Sequence, residues 1–234
     1  MTISEKALLF LDENHRQNDK QWFTDHKEDY RRLVEAPMLE LAASLGPTLL
    51  AVDPALEIDP RRTISRIWRD TRFSRDKSLF KRSVWISFKK EKGLSHPVYF
   101  FEFTPDFHRY GCGYYDTPAN VMEFIRREIL ANSSRFHKAR DSLKKLPHFS
   151  LEGDSYKRPK YADQPAELRQ WLNLKSVTAM YTSQDQSFLC SDLLVGTVRD
   201  AFEKLVPFYE FLRDCHGDAM NEDQSIIQAR FLAY

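Results

Sequence analysis

The spacing of apolar residues changes along the chain, and this change constrains the possible folds more than any other feature of the sequence. In the first quarter, apolar residues recur every three or four positions, as they do on one face of a helix. Residues 83–89 instead alternate, with Val84, Ile86 and Phe88 on one side of an extended segment. Helical spacing returns after Thr117. Helices, then strands, then helices predict an α+β fold in which an antiparallel sheet of several strands is packed by N-terminal and C-terminal helices.

Cap and turn residues give approximate bounds to the predicted elements. A helix is predicted over 19–35, and Pro37 opens another that ends at 52–54. Strands are predicted over 63–68 and in an aromatic-rich hairpin whose turn sequence is Pro-Asp-Phe-His. The hairpin strands are 97–104 and 109–115, and the remaining predicted elements are helices beginning at Thr117 and over 133–145, 166–172 and 194–205, with strands near 149–160 and 174–181.

Length and composition predict one folded domain. The chain has 234 residues, of which 42% are hydrophobic, and this is ample for a buried core. The sequence shows no repeat, low-complexity tract or linker, so a single domain over 1–234 is predicted, with a polar tail at 216–234.

The N-terminus and the cysteines predict where the protein is found. The first residues contain no cationic stretch followed by an unbroken apolar run, and no window approaches the about 20 apolar residues of a membrane span. The three cysteines, Cys112, Cys190 and Cys215, are widely spaced and form no C-x-x-C pair, which fits a reducing compartment. We therefore expect a soluble, cytoplasmic protein without a membrane partner.

Positive charge is concentrated in one segment of the chain. Residues 61–82 contain nine arginines and lysines against two aspartates, a net charge of +7, whereas the remainder carries −6 and the whole chain +1. Cations this close repel one another, so the folded protein needs counter-charges from elsewhere in the chain or from an anionic ligand. This segment is the predicted functional region.

The first interpretation is a pocket for a small anionic molecule that bears a phosphate or carboxylate group. Arginine presents a planar fork that suits such groups, and aromatic residues are interleaved with the cations. Asp70 and Glu102 are weak candidates for acid–base chemistry in such a pocket. The predicted ligand-binding residues are Arg66, Arg69, Arg72, Lys77 and Lys81, together with Trp68 and Phe73.

The second interpretation is structural or partner-binding, with the arginines acting as internal fasteners. The net charge of −6 on the rest of the chain makes carboxylate partners available. Structural ion-pair networks also perturb the pKa values of charged groups, as functional sites do. The candidate partners are Asp70, Asp76, Asp25, Glu28, Asp29 and Glu35. A third interpretation, a nucleic-acid-binding module, rests on the alternation of arginines and aromatics. A sequence pI near 7.7 argues against it, because dedicated nucleic-acid domains lie above about 9.

Several motifs, taken in order, resemble a family of conserved hypothetical proteins, domain of unknown function 2461. They are RIWRDTRFSRDKSLFK, the upstream NDKQWFTDHKEDY, and the downstream GCGYYDTP, IRREI, SYKRPK and LKS. The resemblance covers roughly 3–212, with Trp68 where the family usually has tyrosine and Leu79-Phe80 where it has Pro-Tyr. It implies a single α+β domain and supplies no reaction.

Other motifs carry weaker signals. Gly111-Cys112-Gly113 lies on a predicted strand, where it is expected to face Glu102 and leave room beside that carboxylate. The seven histidines show no H-E-x-x-H or similar spacing, so no metal site is predicted. The sequence contains no G-x-S-x-G, Walker loop or dinucleotide fingerprint, and no motif therefore identifies a reaction or a cofactor.

Overall fold

The protein is an α+β structure, as predicted. The computed structural model describes residues 2–72, 75–90 and 96–232, with side chains through residue 225. The helices of the N-terminal part are α1 (Glu5–Gln17), α2 (Lys20–Asp25), α3 (Lys27–Tyr30), α4 (Ala36–Val52) and α5 (Pro60–Thr63). The later helices are α6 (Ala119–Leu130), α7 (Ser134–Lys144), α8 (Ala166–Leu172), α9 (Leu194–Lys204) and α10 (Val206–Leu232).

Five strands form one sheet in the order β1-β2-β3-β5-β4. The strands are β1 (Val84–Phe88), β2 (Val98–Phe103), β3 (His108–Gly113), β4 (Ser150–Glu152) and β5 (Thr178–Ser183). β1 pairs with β2 and β4 with β5 in antiparallel fashion. The alternation predicted for 83–89 is confirmed, because Val84, Ile86 and Phe88 are buried while Trp85 projects from the other face.

The described residues pack as two compact units. Unit 1 comprises 2–72, 75–90, 99–110 and 181–203, and unit 2 comprises 96–98, 111–180 and 204–232. The single domain over 1–234 stays a prediction.

The N-terminal helices of unit 1 differ from the predicted pair. Asp19 caps α2 by accepting a hydrogen bond from the backbone N–H of Trp22 at 2.7 Å. Beyond α3, a π-helical turn, Arg31–Glu35, continues directly into α4, so no new helix opens at Pro37. The wider turn lies just before this proline, whose ring clashes with the preceding turn of a regular α-helix.

The continuous helix Lys27–Val52 is long and apolar enough to cross a membrane, judged by length and composition. This differs from the sequence expectation, because the predicted break at Pro37 divides the apolar run. Its apolar side chains are used within unit 1, where Met38, Leu41, Leu45 and Leu49 are buried. A core helix of a soluble protein has the same composition.

The strand predicted over 63–68 is wrong. Asp59 accepts a hydrogen bond from the backbone N–H of Arg61, and Pro60 begins the short helix α5, which takes up Thr63. The rest of the segment forms only isolated bridges, Ile64 with Ile86 and Trp68 with Phe80. The described part of the cationic segment therefore forms a helical turn and isolated bridges rather than the predicted strand.

Three aromatic rings hold the cationic segment to the N-terminal helices. The ring centroid of Trp68 lies 4.5 Å from that of Phe80, and the ring of Phe23 on α2 lies 5.5 Å from Trp68 and 5.0 Å from Phe80. Phe80 is fully buried, and burying such a ring contributes about 2–3 kcal/mol. We call these three residues the aromatic base.

Glycine at position 111 is required by a close backbone approach within unit 2. A Cβ placed on Gly111 would lie 2.2 Å from the carbonyl oxygen of Ala179 on β5. We expect Gly111→Ala to lower the free energy of unfolding by about 2 kcal/mol or more, because the clash is with backbone. The matched control is Gly217→Ala on α10, where nothing lies within 4 Å and the change should stabilise by about 0.5–1 kcal/mol. Urea unfolding of both variants measures the difference, and equal effects would contradict the close approach.

A buried histidine in unit 1 makes stability depend on pH. His108 is 1% exposed, its ring lies 5.0 Å from that of Phe188, and neither ring nitrogen has a hydrogen-bond partner among the described residues. Burial lowers the pKa of His108 below its ordinary 6.5, although Asp185 opposes the shift. The unfolded chain therefore takes up this proton first, and we expect stability to fall as the pH drops below about 6.5. His108→Phe should flatten this dependence in urea unfolding at several pH values; an unchanged slope would assign it to other groups.

Candidate functional site

The cationic segment closes on itself as a loop above the aromatic base. The backbone N–H of Arg69 donates to the carbonyl of Leu79, and that of Lys81 donates to the carbonyl of Ile67, both at 2.9 Å. The side-chain oxygen of Asn18, at the end of α1, accepts from the backbone N–H of Leu79 at 2.6 Å. These bonds fix where the loop begins and ends, so Arg69 and Lys81 leave it at defined positions.

A groove of about 400 Å³ lies beside this loop in unit 1, on the face of β1 and β2 that carries the half-exposed side chains. Trp85 of β1 stands directly opposite Glu102 of β2 and lines the groove with it. We call this space the Lys81 groove; its lining residues are Arg69, Lys81, Arg82, Ser83, Trp85, Glu102, Thr104, Asp106 and Phe107.

Lys81 is the central cation of the groove. Its Nζ donates to the backbone carbonyl of Arg66 at 2.6 Å and lies 4.2 Å from the ring centroid of Trp85. No carboxylate of the described residues forms an ion pair with it. Burial, and then the charges of Arg69 and Arg66, lower the pKa of Lys81. The ammonium group is thus held by a backbone carbonyl and an aromatic ring, close to other cations. This arrangement favours an added anion.

Only part of the hydrogen-bonding capacity of the Arg69 guanidinium is used within the protein. One terminal nitrogen lies 3.1 Å from a carboxylate oxygen of Asp76, which in turn accepts the backbone N–H of Ser78 at 2.9 Å. The Nε of Arg69 is buried and has no acceptor among the described residues. A buried donor left without a partner costs about 1–3 kcal/mol, and because this Nε is buried it is not open to a ligand in the groove.

Arg82 has a structural role, because it forms ion pairs within the protein. Its guanidinium pairs with Asp12 of α1 at 2.7 Å and with Asp106 in the turn between β2 and β3. The hydrogen bonds from Arg82 to Asp106 and then to Asp12 raise the pKa of the arginine further. This bridge joins α1 to the β2–β3 turn and leaves little of the Arg82 charge for a ligand.

Glu102 is held by an arginine across the hairpin. The Nε of Arg109 donates to its carboxylate at 2.6 Å, and the Glu102 side chain is only 12% exposed. The expectation that Glu102 faces Gly111-Cys112-Gly113 is wrong, because the turn bond from Thr104 N–H to the Phe107 carbonyl sets Glu102 opposite Arg109. Glu102 therefore lines the groove as a carboxylate that is paired with Arg109.

The structure brings together some of the predicted site residues and separates others. Arg69, Lys81 and Glu102 line the groove, while Trp68 packs in the aromatic base. Arg66 supplies its carbonyl to Lys81 and is itself exposed. Phe73 lies outside the described residues. Lys77 is exposed and donates to the carbonyl of Thr71 at 2.7 Å.

Arg72 and Asp70 pair with each other on the surface, at 2.6 Å, and neither lines the groove. The hydrogen bonds from Arg72 lower the pKa of Asp70 to about 2. Asp70 is therefore ionised at neutral pH and is a weak base there, which makes it a poor acid–base group.

The acidic partners proposed on the N-terminal helices are used locally. Glu28 pairs with Arg31 and Asp29 with Arg32, each one helical turn away, and Asp25 accepts from Gln21. Among the described residues, Asp12 is an acidic helix residue that does pair with the cationic segment, and no local sequence pattern signals that pairing. Of the nine cations in 61–82, ion pairs hold Arg62, Arg69, Arg72 and Arg82.

A metal site and a reactive thiol at Cys112 receive no support from the described residues. They contain no group of three or more His, Cys, Asp or Glu side chains placed to hold a metal ion. All three cysteines are free, and burial raises the pKa of the Cys112 thiol well above its usual value. Cys112 is therefore an inert core residue.

A family model matches residues 6–211, nearly nine-tenths of the chain, and its description is conserved hypothetical protein, DUF2461. The chain belongs to the DUF2461 family. No curated protein matches the chain. The resemblance predicted over roughly 3–212 is confirmed, and both the cationic segment and the Lys81 groove of this DUF2461 protein fall within the matched residues. The family description names no activity, so function has to be argued from the site.

We expect Arg109→Met to destabilise this DUF2461 protein by about 1–2 kcal/mol, because it leaves the largely buried Glu102 carboxylate without its charged donor. Arg72→Met is the matched control: it also removes one arginine–aspartate or arginine–glutamate pair, but from the surface, where such pairs contribute little. Urea unfolding at neutral pH should separate the two. Loss of equal size in both variants would show that burial of Glu102 is not what makes its pair important.

Proposed function

We propose that the protein binds a small anionic ligand, bearing a phosphate or carboxylate group, in the Lys81 groove. The observation that carries this proposal is the ammonium group of Lys81, which lines the groove without a carboxylate partner among the described residues. Its neighbours Arg69 and Arg66 add to the positive potential and depress its pKa. An anion placed beside Lys81 relieves this repulsion.

Hydrogen-bonding capacity in the groove supports the same ligand chemistry. Lys81 uses one bond for the Arg66 carbonyl and keeps two further donor hydrogens, because an ammonium group has three. Arg69 also lines the groove and adds positive charge, although one of its terminal nitrogens pairs with Asp76. Phosphate and carboxylate oxygens accept several such charge-assisted bonds at once.

The size and the walls of the groove favour a small molecule. A volume of about 400 Å³ lies within the range of small-molecule sites, about 300–1,000 Å³. Trp85 supplies an apolar ring beneath Lys81. The carboxylates of Glu102 and Asp106 also line the groove, but each pairs with an arginine, Arg109 and Arg82 respectively, and neither forms an ion pair with Lys81 among the described residues.

We place this function in the cytoplasm, which the three free cysteines support. Small phosphorylated and carboxylated metabolites are the ligand class that we propose there. A role as an enzyme requires more than binding, and Glu102 is the residue on which a proton-transfer step would depend.

The proposal is tested by equilibrium binding of inorganic phosphate, pyrophosphate and citrate, measured by calorimetry at constant ionic strength. We expect at least one of these anions to bind and Lys81→Gln to weaken it about tenfold or more, since a charge-assisted contact of about 1.4 kcal/mol or more is lost. Lys77→Gln is the matched control, because Lys77 also donates to a backbone carbonyl without a described carboxylate partner and lies outside the groove. An equal loss in both variants, or no binding of any anion, would falsify the proposal.

The pH dependence of binding gives a second readout. The pKa of Lys81 is depressed, so its charge is lost as the pH rises through a value below the ordinary 10.5. For citrate, whose carboxylates are fully ionised in the alkaline range, affinity should therefore decline as the pH rises through that folded-state pKa, and binding should take up protons within this range. Affinity that holds until the ordinary lysine range would show that Lys81 is not the group that meets the anion.

A further inference from the structure

A second group of cations surrounds Tyr156 in unit 2, in the motifs SYKRPK and LKS that the Lys81 groove leaves unused. The Nζ of Lys160 lies 4.0 Å from the Tyr156 ring centroid, and the Nζ of Lys175 lies 5.5 Å from it. The guanidinium carbon of Arg126, on α6, lies 5.3 Å from the same centroid. Three positive groups thus meet at one aromatic ring.

The backbone holds these side chains in place. The N–H of Tyr156 donates to the carbonyl of Asn173 at 3.0 Å, and the N–H of Lys160 donates to the side-chain oxygen of Asn173 at 2.9 Å. The N–H of Lys175 donates to the carbonyl of Asp154 at 2.5 Å, next to an isolated bridge between Ser155 and Leu174. Because both segments are fixed to each other, the cations are gathered before any ligand arrives.

Arg126 is a buried anchor of this arrangement. It is 5% exposed, and its guanidinium donates to the carbonyls of Leu172 at 3.1 Å and Leu174 at 2.7 Å. Its terminal nitrogen Nη1 lies 3.6 Å from the carboxylate oxygen Oε2 of Glu123. Backbone carbonyls satisfy its hydrogen bonds without removing its positive charge, which therefore adds to the potential at Tyr156.

The two lysines are not neutralised by the described residues. Lys160 and Lys175 are exposed, and neither forms an ion pair with a described carboxylate. Lys157 and Arg158 of the same motif are exposed as well, but they have no described contact with the Tyr156 ring and are not part of the group. Attraction to the tyrosine ring offsets only part of the mutual repulsion of Lys160 and Lys175, since each such contact contributes about 0.5–1 kcal/mol at an exposed site.

We propose that Lys160, Lys175 and Arg126 form a second anion site, which takes a compact dianion such as the phosphate of a soluble phosphomonoester. Two ammonium groups beside one ring match a group with several acceptor oxygens and two negative charges. The ring of Tyr156 already contacts these cations, so the proposed ligand group is a phosphate held by charge and not a base stacked on the ring. The site is built from unit 2 alone and stands independently of the Lys81 groove.

The test follows the backbone amide resonances of Tyr156, Lys160 and Lys175 by NMR as inorganic phosphate or glycerol phosphate is added at constant ionic strength. We expect saturable shifts of these amides in the wild-type protein and also in Lys81→Gln, since the two proposed sites are separate. Lys160→Gln or Lys175→Gln should weaken binding about fivefold or more. Lys157→Gln, an exposed lysine of the same motif without a described ring contact, should stay within about twofold.

Three results would overturn this second site. The first is that the backbone amides of 154–160 and 173–175 do not respond to either phosphate compound. The second is that Lys157→Gln weakens binding as much as Lys160→Gln, as expected if binding depends only on the overall charge of the surface. The third is that the protein binds vesicles containing phosphatidic acid but neither soluble phosphate. The variants are exposed substitutions, and their thermal unfolding without ligand verifies that a loss of binding is not a loss of fold.

Discussion

The contact between Trp68, Phe80 and Phe23 is what permits so much positive charge in one short segment. The rings meet at centroid distances of 4.5–5.5 Å and close the loop from Arg69 to Leu79 against α2. Burial of Phe80 and the ring contacts supply a few kcal/mol that do not depend on charge. The loop therefore stays closed although some of its cations have no carboxylate partner among the described residues.

The counter-charges that the chain does supply are distributed unevenly. Arg82 is held by two carboxylates, from α1 and from the β2–β3 turn, and acts as a structural tie. Lys81, one residue earlier, is held differently, because its ammonium group meets a backbone carbonyl and the ring of Trp85. The cationic segment therefore contains a cation held by carboxylates and, next to it in sequence, a cation without a described carboxylate partner.

Local patterns predict the parts of the structure that depend on local physics. Alternation from Val84 to Phe88 identifies β1, and the Pro-Asp-Phe-His turn identifies the hairpin. The prediction of a strand at 63–68 is wrong because Asp59 and Pro60 start a short helix there, although the residues that follow are partly apolar. The pairing of Glu102 with Arg109 escapes prediction because turn residues predict a reversal of the chain while one backbone bond, from Thr104 to Phe107, decides the register. Asp12 and Arg82 are 70 residues apart in sequence, and no local pattern predicts that they form an ion pair.

The two cationic groups share one arrangement, although they are built from different elements. In each, a lysine ammonium lies about 4 Å from an aromatic ring, at Trp85 or Tyr156, and has no described carboxylate partner. The acidic surplus elsewhere does not change this, because residues such as Glu28 and Asp29 are engaged by arginines one helical turn away. A ring attracts a cation without cancelling its charge, so it keeps a lysine in place while leaving its field available to an anion from solution. Replacing either ring by a carboxylate would hold the lysine as firmly and would remove the reason for an anion to bind.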